Sequence, residues 1–397
     1  MSRATVSYFF LQAGEWALEG CLYCYSSVFL LSCGLSNTFI GILLGIAVML
    51  SFLGQIFLGE FFNLHGQASL RKFFLAGGLF LILSNFLLFL GLPNWLAILL
   101  FMLCCLLLQI FPAFLNSAAM VEIQSGVPLN YGVGRGGGSL GYALCASFMG
   151  SLILSRGVSA MFLCGLFLSV LFIISAVCFF YICARQRTCS PAKPSGKSAG
   201  AGAQFHPGFL KKYRRYSIIL LGTVILMAGH TYMSNFIYQV VSSKGGNEAS
   251  VGIASAIAAC CEFPVLFLFG RMKGKLRCDS WFKLSCLLLT LKMGLTLLAP
   301  TLPLIYLSEV LQMGYALFMV SSVYYTGTLI PREDTISSQS YLNAASTLGV
   351  LISLLSGGVL IDSLGIPALL TAGLLLLSCG TLIIFLSAQK TEEKPQR

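Results

Sequence analysis

Residues 95–111 read WLAILLFMLCCLLLQIF, an apolar run with one strongly polar side chain, Gln109. A helix needs about 20 apolar residues to cross a bilayer core, and similar runs recur along the whole chain. Of the 397 residues, 57% are hydrophobic and 9% are charged, whereas soluble domains carry about 25% charged residues. A water-soluble fold cannot cover so much apolar surface. The sequence therefore predicts an all-α membrane protein that crosses the bilayer many times.

Twelve runs are long enough to be membrane spans, numbered here 1 to 12 in chain order. Most of the fifteen cysteines lie inside them, which indicates packing residues rather than a metal or redox site. The predicted spans are Val6–Leu31, Thr38–Phe62, Phe73–Leu92, Trp95–Val121, Gly134–Leu154, Ser159–Cys183, Tyr216–Val241, Ala249–Phe269, Trp281–Ala299, Leu304–Leu329, Ser337–Ser363 and Pro367–Ala388.

The composition changes once, between spans 6 and 7. This segment is rich in Ser, Pro, Gly, Lys and Arg, which is typical of a flexible polar linker. The predicted organisation is therefore an N-terminal six-helix bundle over residues 1–183, a linker over 184–215 and a C-terminal six-helix bundle over 216–397.

The basic residues predict the orientation. Of the 24 Lys and Arg residues, 20 lie on the side of the predicted membrane that holds both termini and the linker. Only Arg156 and Lys244 lie in the opposite loops, while Lys283 and Lys292 fall inside span 9. Because basic loops stay on the cytoplasmic side, both termini are expected in the cytoplasm of a protein of the plasma membrane. The basic residues that give the net charge of +11 are therefore expected to interact with the membrane surface rather than with nucleic acid.

Three glycines of the first half recur in the second half with a constant offset. Gly141, Gly150 and Gly157 return 208 positions later as Gly349, Gly358 and Gly365. This spacing suggests a parallel repeat of two six-helix units, an arrangement that occurs in transporter folds.

The start of span 5 is unusually rich in glycine: Tyr131 to Ser147 reads YGVGRGGGSLGYALCAS. Glycines between membrane helices allow close packing of backbones, and a hinge is expected here as well. A phosphate-binding loop is disfavoured, since no strand precedes the segment and no Gly-Lys-Ser/Thr follows it.

The same segment resembles the start of the fifth helix in lactose permease and related oligosaccharide/proton symporters of the major facilitator superfamily, a group near the nucleoside and phenylpropionate permeases. The resemblance implies the twelve-helix major facilitator fold. It also implies that Arg135 binds sugar and pairs with a carboxylate of span 4, Glu122, and that a sugar ring stacks on Tyr142.

Ionisable residues inside the spans are candidates for function, because a charge at the bilayer centre costs at least ~2.5–3.5 kcal/mol and must face protein or water. Glu15 and Glu19 lie on one face of span 1, together with Gln12 and Tyr23. Two neighbouring carboxylates at low dielectric cannot both ionise easily, so the pair is expected to keep one proton. The alternative is that they only bond neighbouring helices.

Four further candidates for proton coupling lie in the second half: His230, Glu262, Lys292 and Glu309. Antiparallel packing of spans 9 and 10 would bring Lys292 and Glu309 to a similar depth, so an ion pair is possible, and Lys292 with Glu262 is the competing pair. Such an ion pair could have a purely structural role and hold the two spans together, since the cost of desolvating both charges offsets much of their attraction. His230 could carry protons or merely satisfy a hydrogen bond.

Uncharged polar side chains also occur within the spans. Amides and hydroxyls mixed with aromatic rings suit a neutral sugar, nucleoside or similar ring compound. Together with Glu122, Arg135 and Tyr142, the substrate-binding candidates are Gln12, Tyr23, Gln109, Asn116, Asn235, Tyr238, Gln239, Gln312 and Asn343.

The expected function is therefore secondary active transport of a small polar solute, by proton symport through alternating access. An efflux antiporter of the same fold is the first alternative. An integral membrane enzyme is the second, but the short loops offer no catalytic cluster, and a channel would need a pore loop or charge ring. We expect no cofactor, metal or nucleic acid, with solute, protons and lipid as partners of a monomer.

Overall fold

A computed structural model describes residues 1–65, 67–187, 208–272, 276–331 and 334–388. Within these ranges the secondary structure is helical, with no strand. The helices, in chain order, are α1 (Arg3–Leu18), α2 (Ser26–Ser32), α3 (Asn37–His65), α4 (Gln67–Leu90), α5 (Asn94–Gln124), α6 (Tyr131–Arg156), α7 (Ser159–Gln186), α8 (Phe209–Lys212), α9 (Arg214–Asn235), α10 (Ile237–Ser242), α11 (Glu248–Met272), α12 (Cys278–Leu298), α13 (Leu302–Val310), α14 (Met313–Leu329), α15 (Thr335–Leu364) and α16 (Ile366–Ser387).

The predicted membrane spans correspond to these helices. In the described residues, eleven helical stretches are long and apolar enough to cross a membrane, one for each predicted span from 2 to 12. In place of span 1, α1, a π-helical turn (Glu19–Tyr23) and α2 follow one another from Arg3 to Ser32. The prediction of an all-α, twelve-span membrane fold is confirmed.

Three spans are interrupted, which the apolar pattern did not predict. Span 1 is broken by the π-helical turn, span 7 at Phe236 between α9 and α10, and span 10 at Leu311 and Gln312 between α13 and α14. Irregular backbone at membrane depth is tolerated where protein surrounds it. Such breaks expose backbone groups and redirect side chains, so they mark places where polar chemistry can be built.

The chain divides into two compact units, which share helices α3 and α11. Unit 1 comprises Met1–Leu35, Ile46–Gly202 and Asn247–Ala259. Unit 2 comprises Ser36–Gly45, Ala203–Gly246 and Cys260–Arg397. The bundle boundaries at 183 and 216 remain a prediction. The ends of the predicted linker include the last turn of α7 and all of α8, while its residues 188–207 lie outside the described part of the chain.

The glycines repeated at an offset of 208 occupy matching places in the two units. Gly157 ends α6 and Gly365 ends α15, with φ of 80° and 82°, a backbone conformation that favours glycine. A Cβ on Gly150 would collide with the start of α11 at Glu248, and one on Gly358 would collide with the start of α3 at Asn37. These matched environments support the internal repeat inferred from the sequence.

The start of α3 is also held by a carboxylate of unit 2. Asp362 accepts hydrogen bonds from Asn37 Nδ2 at 2.8 Å and from the backbone N–H and the hydroxyl of Thr38, each at 2.7 Å. A carboxylate at a helix N-terminus satisfies free N–H groups and complements the helix dipole. The position 208 residues earlier in the repeat, Leu154, cannot do this.

The glycine-rich segment packs closely against another helix, as the sequence predicted, and the structure identifies this partner as α1. A Cβ on Gly137 would collide with the carbonyl of Phe9, and one on Gly141 with the carbonyl of Ala13. The two backbones are therefore in direct contact. This approach brings Arg135, on α6, next to the acidic side chains of α1.

Candidate functional site

The acidic pair of span 1 is buried in unit 1. Glu15 has 0% of its surface exposed and Glu19 has 6%. Among the residues that the structure describes, none forms a hydrogen bond with either carboxylate oxygen of Glu15. An ionised carboxylate in such a place would pay a desolvation penalty that no hydrogen bond from the described residues offsets, so this side chain favours the neutral form or binding of a partner.

The π-helical turn begins at Glu19 and changes the register of span 1. The N–H of Cys24 donates to the carbonyl of Glu19 at 3.0 Å, a bond five residues long. Short π-helical turns inside helices are often found at functional sites. The predicted stripe of Gln12, Glu15 and Glu19 follows α-helical spacing, and Tyr23 lies beyond the change of register.

Arg135 and Trp16 form the wall beside this acidic pair. The guanidinium carbon of Arg135 lies 4.4 Å from the centre of the Trp16 ring, a cation–π contact, and Arg135 is close enough to Glu15 to act on it electrostatically. The ring of Tyr142 meets Trp16 edge-on, with 6.4 Å between the centroids. The sequence analysis missed Trp16, whose position beside Glu15 is the only signal for it.

Uncharged polar groups continue along the same helix. Gln12 Nε2 donates to the Tyr8 hydroxyl at 2.6 Å and to Asn116 Oδ1 at 3.2 Å. Gln12 Oε1 is buried without a partner. The side chains of Tyr23 and Gln109 interact by a hydrogen bond. The structure thus brings together most of the candidates predicted in the first half.

Glu122 does not pair with Arg135, contrary to what the family resemblance implied. Its carboxylate forms a two-pronged ion pair with Arg187, in which Arg187 Nε donates to Glu122 Oε2 at 2.8 Å and Arg187 Nη2 donates to Glu122 Oε1. The physical reason is geometric: Glu122 lies near the end of α5 and Arg187 directly after the end of α7. The hydrogen bonding that Arg187 donates to the Glu122 carboxylate holds the pKa of Arg187 above its ordinary value.

In unit 2, the acidic and basic candidates form one hydrogen-bonded chain. Lys292 Nζ donates to Glu309 Oε2 at 2.7 Å and to Gln312 Oε1 at 2.6 Å, and Gln312 Nε2 donates to Glu262 Oε1 at 2.8 Å. The predicted ion pair of Lys292 with Glu309 is confirmed. Glu262 is linked to Lys292 by the two hydrogen bonds of Gln312, a residue that the sequence had suggested for substrate binding alone.

The remaining candidates of unit 2 lie in different surroundings. His230 is buried and stacks on Tyr315 at 5.0 Å between ring centroids. Asn235 Nδ2 donates to Ser353 Oγ at 3.4 Å, and Gln239 Nε2 donates to Asn37 Oδ1 at 2.9 Å. Tyr238 is partly buried, while Asn343 is exposed on α15.

Two other features lie apart from these groups. A cavity of about 560 Å³ lies beside the start of α1 and the loop before α6, and none of the predicted site residues lines it. No group of three or more His, Cys, Asp or Glu side chains is placed to hold a metal ion in the part of the chain that the structure describes.

The arrangement of twelve spans, an internal repeat and buried carboxylates can be compared with known proteins. A family model described as the MFS_1 like family matches residues 2–386. The chain belongs to this family. It is thus a major facilitator superfamily transporter, as the sequence resemblance implied.

Solved structures of transporters have the same fold. The nucleoside transporter NupG matches with a TM-score of 0.76 at 14% identity, covering 98% of this chain and 98% of that one. The human organic anion transporter MFSD10 (TETRAN) gives 0.63 at 14% identity, with coverage of 96% and 99%. An auto-inhibited POT family peptide transporter gives 0.69 at 10% identity, with coverage of 100% and 99%.

At these identities the structural likeness shows the fold alone. No curated protein matches the chain in sequence. The family and the solved relatives are transporters and not enzymes, which confirms the prediction that the chain is not an enzyme. The transporter is a multi-pass membrane protein.

Proposed function

We propose that the transporter imports a small polar solute together with protons through alternating access. The observation that carries this proposal is Glu15, a fully buried carboxylate with neither oxygen partnered. A group in this position is stable when it holds a proton and unstable when it is ionised. A proton bound here would therefore change the relative stability of the carrier's states, which is what coupling requires.

Glu19 and Arg135 complete the proposed proton site. Glu19 lies one turn beyond Glu15 and interacts with it electrostatically, so the two carboxylates share a low-dielectric site and compete for charge. Arg135 has the opposite effect, because a positive charge nearby favours ionisation. Movement of Arg135 towards or away from Glu15 would then release or bind a proton.

The solute proposed is a neutral ring compound such as a sugar or nucleoside. Support comes from the amides and hydroxyls of Tyr8, Gln12 and Asn116, which lie next to the acidic pair and leave Gln12 Oε1 free to accept a hydrogen bond. Aromatic rings of Trp16 and Tyr142 provide stacking surfaces. The likeness to NupG, a nucleoside transporter, agrees with this class.

The cellular setting is part of the proposal. Two bundles, 1–183 and 216–397, would rock about a central site, joined by a linker over 184–215. The excess of Lys and Arg on one side of the predicted membrane supports cytoplasmic termini and a plasma-membrane location. The proposed functional unit is a monomer.

The test is uphill uptake into proteoliposomes, after a thermal-shift screen of sugars, nucleosides and aromatic acids has found a stabilising solute. Under an inward proton gradient, the parent concentrates this solute. Glu19→Gln and Glu262→Gln lose accumulation but keep solute exchange. The matched control is Glu60→Gln, which changes an exposed carboxylate on α3 and accumulates normally.

Accumulation by both variants at the parental level would contradict the proposal. Loss of accumulation and exchange together would point to a binding or folding defect, which solute-induced thermal stabilisation of each variant distinguishes. Solute accumulation only in vesicles with an outward proton gradient would identify the antiporter alternative.

A further inference from the structure

The hydrogen-bonded chain of unit 2 contains one uncharged member, Gln312. We infer that Gln312 is a positioning residue that transmits the charge state of Glu262 to the ion pair of Lys292 and Glu309. The inference rests on the proposed proton coupling and assigns a role inside it. It follows from three contacts, the side-chain chemistry of the amide and the place of Gln312 in span 10.

The amide of Gln312 can adopt only one orientation between its partners. Lys292 Nζ is a donor without lone pairs, so the atom of Gln312 that it contacts at 2.6 Å must be the carbonyl oxygen. The amide nitrogen therefore faces Glu262, at 2.8 Å from Oε1. An amide fixed in this way has its negative end at the cation and its positive end at the carboxylate.

Both bonds of the amide are charge-assisted, and bonds of this kind are about twice as strong as neutral ones. When Glu262 takes up a proton, the bond from Gln312 becomes a neutral one. Since the two hydrogen bonds of a single amide polarise one another, the bond from Lys292 weakens as well. Lys292 is then held mainly by Glu309, and the formal charge of the four side chains changes from −1 to zero.

Gln312 lies at a break in span 10, where a change in its hydrogen bonds can affect the backbone. Span 10 is interrupted there: α13 ends at Val310, α14 begins at Met313, and the N–H of Gln312 donates to the carbonyl of Glu309 at 3.0 Å. Gln312 and Glu309 thus lie on the two sides of a helix break. Breaks of this kind can absorb a change in backbone angles, so movement of the side chain can alter the angle between α13 and α14.

Other titratable groups lie close to the hydrogen-bonded chain of unit 2 and contribute to its response to pH. His230, on α9, is close enough to Lys292 to interact with it, and Tyr315, on α14, stacks on His230. Cys261, on α11, interacts electrostatically with both Glu262 and Glu309. Gln312 is the member that links Glu262 to Lys292 by direct hydrogen bonds, which is why its effect can be separated from theirs.

The experiment measures solute exchange between pH 5 and pH 9 in proteoliposomes without a proton gradient. Gln312→Met keeps the length of the side chain and removes both hydrogen bonds. We expect the midpoint of its pH profile to move upward by about one unit, the size expected when one charge-assisted hydrogen bond to a carboxylate is lost. Gln339→Met, on α15, is the matched control and keeps the parental profile.

A double variant identifies the partner through which Gln312 acts. With Glu262→Gln in place there is no charge to transmit, so adding Gln312→Met should leave the profile of Glu262→Gln unchanged. Gln312→Asn keeps the amide but is too short to reach both partners, and it should shift the profile in the same direction. This variant takes the place of Gln312→Met if the latter does not fold.

Two results would overturn the inference while leaving the proposed function intact: a parental profile for Gln312→Met, or an equal loss of exchange at every pH, which a purely structural role gives. If Glu262→Gln itself accumulates solute and keeps the parental profile, the role of Glu262 in proton coupling fails, and the inference about Gln312 fails with it.

Discussion

Unit 1 and unit 2 each have a pair of glutamates inside the membrane spans, all buried except Glu262, which is partly buried, but the carboxylates of the two units have opposite hydrogen bonding. In unit 2, Glu309 and Glu262 both accept charge-assisted hydrogen bonds, from Lys292 and Gln312. In unit 1, Glu15 is fully buried, and neither of its oxygens has a hydrogen-bond partner among the described residues. A satisfied buried carboxylate can remain ionised, whereas an unsatisfied one is stable only when neutral. We therefore place the primary proton site of the proposed mechanism in unit 1, and we assign unit 2 a structural and relay role in which Glu262 is the member that titrates.

The largest effect is expected from Lys292→Met, which leaves Glu309 buried without its cation. Removing one partner of a buried pair costs about 3–5 kcal/mol, so the melting temperature of the purified protein should fall steeply. The double variant Lys292→Met/Glu309→Gln removes both charges and should recover most of the loss. If Lys292→Met has the same melting temperature as the parent, Lys292 and Glu309 do not form a charged pair in the folded protein.

A smaller effect is expected from Glu122→Gln. Its partner Arg187 keeps its charge in any transport assay, because its pKa is raised above an already high value, but 23% of its side chain is exposed and water can take over part of the contact. We expect a loss of about 1–3 kcal/mol in thermal unfolding. Lys212→Met breaks the solvent-exposed pair with Asp334 and is the control, which should unfold close to the parental temperature because exposed ion pairs add little to stability. A loss equal to that of Lys292→Met would contradict this ranking.

The smallest effect on stability is expected from Glu15→Gln. This change removes no hydrogen bond and takes away a group that is costly to ionise, so the melting temperature should stay the same or rise. Glu309→Gln, which removes the partner of Lys292, is the comparison and should be clearly destabilised. Similar losses of thermal stability in Glu15→Gln and Glu309→Gln would contradict the proposed difference between the carboxylates of the two units.

Much of the fold followed from the sequence, because apolar run length and glycine placement are local signals. The spans from 2 to 12, close packing at the glycine-rich start of α6 and the similar depth of Lys292 and Glu309 were all expected, whereas the identity of α1 as the packing partner was not. The interruptions at Glu19 and Gln312 were not. Those breaks depend on how neighbouring helices satisfy the backbone, and an apolar pattern does not contain that information.

The candidate site was predicted less completely, for the same reason. Glu15, Glu19 and Glu262 stand out as charges inside apolar runs, but their partners are set by tertiary structure. Arg187 lies 65 positions from Glu122 in the chain, in a segment with linker-like composition, so no spacing rule connects them. The residue type of Gln312 suggested that it binds substrate, whereas its contacts show that it links the charged side chains of Lys292 and Glu262.

Proton binding in unit 1 is tested most directly by measuring proton movement in weakly buffered proteoliposomes on addition of the solute identified by thermal shift. The parent should draw protons inward with the solute, so the external pH rises and saturates with solute concentration. In Glu15→Gln/Glu19→Gln, solute exchange should continue while the external pH stays constant. Parental-sized proton movement in this double variant, or solute uptake by the parent without any pH change, would contradict the assignment of the proton to unit 1.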